Sequence, residues 1–136
     1  MKRLFTIIAV LFLFATAYGQ TLRNANNSTI GSISSSGEIR NSSNSLVGKI
    51  SSNGDIRNAN NRLVGKIDGS TFRNANNSTV GSISSDGTVR NSSNSTIGKV
   101  CDDGTVRNSS NGTIGYAKGI PKKYAALMFF FSYLLL

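Results

Sequence analysis

Between residues 21 and 117 the apolar positions recur on a fixed beat. One copy reads Thr88-Val89-Arg90-Asn91-Ser92-Ser93-Asn94-Ser95-Thr96-Ile97-Gly98-Lys99-Val100, and it is followed by a Gly-bearing turn. Six copies place their arginine at Arg23, Arg40, Arg57, Arg73, Arg90 and Arg107, in steps of 17, 17, 16, 17 and 17 residues. Such internal repetition decides architecture before any other signal. Each copy holds two short apolar groups. The first is a single apolar residue before Arg-Asn, as in Ile39-Arg40-Asn41; the second is of the kind Leu46-Val47-Gly48-Lys49-Ile50. Val, Ile and Thr dominate both groups and suit a pleated surface, so each copy is expected to give two short strands.

The polar stretches between them carry turn chemistry. Within a copy the link is Asn-Ser-Ser-Asn or Asn-Ala-Asn-Asn, and Asn tolerates the left-handed backbone that tight turns require. Between copies it is a Gly turn such as Ser52-Asn53-Gly54-Asp55 or Ser85-Asp86-Gly87-Thr88, a strong hairpin signal. The third copy is one residue short, at Asp68-Gly69-Ser70, where the loss falls in a turn and leaves the strand faces intact. One irregularity needs a remedy. Val47 and Ile50 are three apart and would face opposite sides of a flat strand. A bulge or bend at Gly48 would bring Ile39, Val47 and Ile50 to one core, and every copy has a Gly at that place: Gly31, Gly48, Gly65, Gly81, Gly98 and Gly115.

The beat stops at both ends. Residues 1–19 read as a secretory signal: Lys2 and Arg3, an apolar run over 4–14, then small residues that favour cleavage after Gly19. The chain is therefore expected to be exported, to a periplasm, a cell surface or the medium. Residues 20–117 form the repeat domain, and 118–136 a basic joint followed by an apolar, aromatic tail. The tail over 124–136 includes Phe129, Phe130 and Phe131 in a row. As a helix it reaches about 20 Å, short of a ~30 Å bilayer core. It shows neither alternation nor a stripe, so it should be buried on all sides, with Pro121 starting its turn onto the apolar face of the repeats. The rival is a membrane-surface anchor, with Lys122 and Lys123 at anionic headgroups.

Composition changes this picture little. The apolar fraction is 38%, below the usual ~45–50%, with Ser, Asn and Gly making up the difference. The net charge is +9, or +7 with 13 basic and 6 acidic residues once Lys2 and Arg3 are removed, which favours anionic partners such as an acidic glycan, phosphate or an anionic membrane surface. The even spread of those charges equally suits solubility. Cys101 is alone in a turn slot held elsewhere by Ser34, Ser51, Asp68 and Ser84, so no intrachain disulfide exists.

The reading is an all-β closed ring of short repeated hairpins, with five or six petals. The alternative is a β-solenoid with 17-residue coils, which a regular Thr/Ser/Asn surface would also suit for ice or glycan binding. The sequence of apolar-Arg-Asn, turn, apolar-Gly-x-Ile and Gly turn, together with the leader and the aromatic tail, resembles the five-fold β-flower family. That resemblance implies a ring of β-hairpin petals in a small secreted or periplasmic bacterial protein, and it implies no activity. The repeat count departs from the name: there are six strand pairs, whereas hairpins counted across the Gly turns number five.

Candidate chemistry centres on the repeated positions. Arg23, Arg40, Arg57, Arg73, Arg90 and Arg107 would form a ring or ladder of guanidinium groups, each a fork for carboxylate or phosphate. Their neighbours Asn24, Asn41, Asn58, Asn74, Asn91 and Asn108 are ligand candidates beside them and good turn residues in their own right. The structural counterpart is that each Arg binds turn carbonyls. The sequence has no His, and its acids Glu38, Asp55, Asp68, Asp86, Asp102 and Asp103 lie in or beside turns. The expectation is a non-catalytic structural or binding module without a cofactor or metal. Asp102-Asp103-Gly104 lacks the ligand number calcium takes. Nucleic acid is not an expected partner, since basic charge comes without aromatic interleaving and behind an export signal.

Overall fold

The computed structural model describes residues 20–136, so the expected signal segment lies outside the described residues. Twelve strands follow one another: β1 (Gln20–Asn24), β2 (Thr29–Ile33), β3 (Glu38–Asn41), β4 (Leu46–Ile50), β5 (Asp55–Asn58), β6 (Leu63–Asp68), β7 (Thr71–Asn74), β8 (Thr79–Ile83), β9 (Thr88–Asn91), β10 (Thr96–Val100), β11 (Thr105–Asn108) and β12 (Thr113–Tyr116). Each pairs antiparallel with its neighbours, and β1 closes on β12 through Arg23↔Tyr116 and Asn24↔Gly115. The result is a closed barrel. Closure removes the free sheet edges on which such a sequence would otherwise aggregate. Antiparallel pairing throughout rules out the solenoid, whose coils would stack in parallel.

Both turn types share one geometry. In the Asn turn, Asn44 N–H donates to the Asn41 carbonyl at 2.9 Å and Asn41 N–H to the Ser45 carbonyl at 3.0 Å. In the Gly turn, Gly54 N–H donates to Ser51 at 2.9 Å and Ser51 N–H to Asp55 at 2.8 Å. Each is a tight turn closed by a left-handed residue. That residue is Gly at one mouth of the barrel and Asn at the other, with φ of 65 to 67° at Asn27, Asn44, Asn61, Asn77, Asn94 and Asn111. Counting at the Asn mouth gives six hairpins; at the Gly mouth the chain makes five, and the β1–β12 pairing completes the ring.

The bulge falls where the sequence asks for it. Ile39 pairs with Gly48 and Arg40 with Leu46, leaving Val47 as the extra residue. The same shift recurs in every copy. The bulge leaves Gly48 and Ile50 facing inward while Val47 is only half-buried against the core. The inward partner of Ile50 on its strand is thus the glycine itself, not Val47.

Each Gly-turn hairpin places two core residues directly opposite each other: Ile33↔Ile39, Ile50↔Ile56, Ile67↔Phe72, Ile83↔Val89 and Val100↔Val106. All are buried. The tail fills the space they enclose. After Pro121 it forms α1 (Lys122–Phe130) and a short 3₁₀ turn (Ser132–Leu135). A helix is the form that satisfies its own backbone inside a barrel with no open edge. Pro121, with no N–H to leave unpaired, caps its start and accepts from Tyr124 and Ala125 at 2.9 and 3.0 Å. The helix has little amphipathic bias because barrel wall surrounds it. Ala125, Ala126 and Leu127 are fully buried.

Candidate functional site

The six arginines follow inward-pointing residues and so face outward, forming a girdle near the Asn mouth. All are half-buried, and each guanidinium folds along its own turn. Arg23, Arg40, Arg57, Arg73, Arg90 and Arg107 donate through Nη1 to the carbonyls of Asn27, Asn44, Asn61, Asn77, Asn94 and Asn111, at 3.1 to 3.3 Å. The acceptor is always the left-handed Asn, so the arginine holds the strained residue of its turn in place. Arg23, Arg73 and Arg107 also reach the hydroxyls of Thr29, Thr79 and Thr113 at 3.2 to 3.3 Å. In the second and third copies that slot is Leu46 or Leu63, both about 40% exposed.

Asn24, Asn41, Asn58, Asn74, Asn91 and Asn108 act as turn residues. Each Oδ1 accepts two backbone N–H groups, two and four residues ahead; Asn91 takes those of Ser93 and Ser95 at 2.9 and 3.1 Å. Asn24, Asn41, Asn58, Asn74 and Asn108 repeat the arrangement. The girdle does bring cations together. Lys49 stands directly opposite Arg57, Lys66 opposite Arg73 and Lys99 opposite Arg107. Like charges opposite one another on a sheet repel. Carboxylates relieve this in part: Asp68 lies 3.5 Å from Arg73, and Glu38 3.5 Å from Arg40, both solvent-exposed pairs of small energetic weight.

The sequence did not reveal that five of the six bulge glycines face the tail, while Gly31 meets the Arg40–Asn41 backbone. A methyl group on Gly81 would run into the Phe131 ring, on Gly98 into Phe130, and on Gly115 into Phe129. On Gly48 it would lie 2.8 Å from Leu135, and on Gly65 3.4 Å from Leu134. The tail's large side chains therefore sit in a belt of glycines at the Asn mouth, while its alanines pack within the Ile/Val belt deeper in. The strand opposite adds a second restriction: at Gly48 the same methyl would be 2.7 Å from the Arg57 carbonyl. A repeated bend was legible, and so was a tail packed on the repeats; which side chain fills which gap, Phe at Gly81, Gly98 and Gly115 and Leu at Gly48 and Gly65, was not.

At the Gly mouth, three aspartates are held below the usual carboxylate range. For Asp86 the backbone N–H of Thr88 is the main cause, and for Asp103 that of Thr105. For Asp102 it is the hydrogen bond from Lys122 Nζ, which ties the first turn of α1 to the last Gly turn. No group of acids, His and Cys suited to holding a metal occurs among the described residues.

The 5-fold beta-flower protein family matches residues 19–133, and the chain belongs to that family. The family is described as 5-fold; here the chain makes six Asn-turn hairpins and five Gly-turn hairpins. No curated protein and no solved structure matches the chain.

Proposed function

We propose that this β-flower protein is an exported, non-catalytic binding module, a rigid barrel that presents polar mouths and an outer cationic girdle to an anionic ligand. The observation that carries this reading is the filled lumen. Ala125, Ala126, Leu127 and Phe131 occupy the interior, and the Arg, Lys, Ser and Asn side chains lie at the mouths and on the outside. A packed interior supplies stability, and the surface is left to recognition. The tail that a membrane anchor would use is engaged inside the barrel, with Tyr133 and Leu136 its exposed large residues. Export rests on the charged, apolar, small order of residues 2–19.

Two measurements test the reading. Protein recovered from outside the cytoplasm should begin near Gln20; a start at Met1 overturns export. On an array of acidic and neutral glycans, the mature chain should bind acidic members saturably and leave them unaltered. Absence of binding, or turnover of a bound glycan, overturns the module. A second reading has its own support: the Lys49–Arg57, Lys66–Arg73 and Lys99–Arg107 pairs would gain from a phosphate or carboxylate between them. Under it, neutralising Lys49 and Arg57 weakens binding; if binding survives that change, the girdle is structural.

A further inference from the structure

The Gly mouth is not six-fold. In the turns with Gly37, Gly54 and Gly87 the glycine is pressed against the next copy, and a methyl group would strike the carbonyls of Ile50, Ile67 and Val100. Gly104 is pressed in the same way against the backbone of Lys118, 2.6 Å from its Cα. The shortened turn differs. Around Gly69 nothing lies within 4 Å of where a methyl would sit. The missing residue leaves a gap in the rim, and Ile83 N–H bonds instead to the Ser70 carbonyl at 2.9 Å. Beside this gap is a hollow of about 790 Å³, lined by Ser70, Ser82, Ser84, Ser85, Lys123 and Tyr124 among others. A smaller one of about 280 Å³ adjoins it, with Lys123 and Tyr124 shared by both. The larger is within the ~300–1,000 Å³ range of small-ligand sites.

The chemistry of this hollow is one-sided. No carboxylate lines either part. Lys122 is committed to Asp102, whereas Lys123 is exposed and has no ion-pair partner among the described residues. The hydroxyls of Ser84 and Ser85 are exposed and bond to no protein group among the described residues, in contrast to Ser34, whose Oγ accepts from Glu38 N–H at 3.1 Å. Tyr124 is half-buried and offers a ring with a polar tip. Free hydroxyls, one uncommitted ammonium and one aromatic face are the complement of a sugar ring that bears an acid.

We propose that the hollow beside the shortened turn binds an acidic sugar, with Lys123 taking its carboxylate, the Ser70, Ser82, Ser84 and Ser85 hydroxyls its ring hydroxyls, and Tyr124 its apolar face. This rests on the binding-module reading and gives it a place and a ligand class. The irregular third copy is then the specific part of the protein, and the regular girdle is its frame.

The test is calorimetric titration of the mature chain with di- and trigalacturonate, using neutral galacto-oligosaccharides of equal length as control. Binding of the acidic series alone is expected. Lys123→Ala should weaken it at least tenfold, and Lys123→Arg should keep most of it, because a charge-assisted bond is lost in one and retained in the other. Inserting one Asn after Gly69, which restores the regular turn length, should also abolish binding by filling the gap. An Arg62→Ala variant, which removes an exposed cation from an Asn turn at the opposite mouth, should bind as the parent does. Unchanged affinity in Lys123→Ala, or an equal loss in Arg62→Ala, overturns the site while leaving the module reading intact. Failure of the parent to bind the uronates also overturns the site, and silence on the whole acidic array takes the module reading with it.

Discussion

Phe131 of the tail stacks on Phe72 of the fourth copy, with ring centroids 4.6 Å apart and planes 29° from parallel. Both rings are buried, and Phe72 pairs across the sheet with Gly81, whose missing side chain makes room for Phe131. Phe72 is the one aromatic at a core position otherwise held by Leu22, Ile39, Ile56, Val89 and Val106. The tail is therefore keyed to this copy, not only to the average shape of the barrel.

Phe131→Ala should destabilise the protein by about 3–5 kcal/mol, the usual range for deleting a buried ring. Phe72→Ala should fall in the same range. The double variant should cost less than the two singles together, because each removes the same stacked pair. Urea unfolding of the four proteins measures this; strict additivity would mean that the rings do not support each other.

Gly81→Ala and Gly98→Ala should each lower stability by ~1–3 kcal/mol, as overpacking does, since the added methyl meets a Phe ring and the carbonyl of Arg90 or Arg107. Gly69→Ala has open space and suffers only its φ of +60°, a penalty of about 1 kcal/mol. Combining Gly81→Ala with Phe131→Leu should recover part of the loss. Equal effects at Gly69 and Gly81 would show that backbone conformation, not the tail, explains the repeated glycine.

The strands, the turns and the bulge could be read from the sequence because each depends on residues close together. Ile39-Arg40-Asn41 and Asn44 specify their own hairpin, and the left-handed Asn44 is a local necessity. Closure was not local. It is made by Arg23 with Tyr116 at opposite ends of the repeat domain, so five petals and six were equally compatible with the pattern. A ring or a ladder of arginines was legible from the repeat, but closure of the barrel decides between them, and their shared acceptor, the left-handed Asn carbonyl, appears only when the turn is folded. The hollow beside Gly69 arises from a residue that is missing, and its lining comes from turns and a tail far apart in the chain.

Acid should destabilise the Gly mouth through Asp86, Asp102 and Asp103. Each has a folded pKa below the unfolded value of about 3.9, held down by the Thr88 amide, Lys122 and the Thr105 amide respectively. Their contribution is present above the unfolded value and is lost as pH falls through the lowered folded value. Melting temperature should drop below about pH 4 by this linkage. Asp86→Asn with Asp103→Asn should flatten that drop, since Asn53 already makes the same bond to the Asp55 amide at 3.0 Å without titrating. An unchanged acid limb would place the linkage elsewhere.

The tail offers a graded test. Leu136 is 99% exposed, and its removal should leave the melting temperature unchanged. Removing residues 129–136 strips the side chains that face Gly48, Gly65, Gly81, Gly98 and Gly115 and opens the Asn mouth to water. Removing 121–136 also takes Ala125, Ala126 and Leu127 from the middle of the core. Each large buried side chain is worth ~1.5–3 kcal/mol, against a net stability of ~5–15 kcal/mol for a whole domain. The Ile and Val belt cannot close over the vacancy, because the barrel's circumference is fixed by its hydrogen-bonded strands. The two longer truncations should therefore lose cooperative unfolding and near-ultraviolet tyrosine signal, which Tyr116 in β12 retains only while the wall is ordered. A 121–136 deletion that melts like the parent would show that the strands alone hold the barrel, and that the tail is a passenger in a lumen that stands without it.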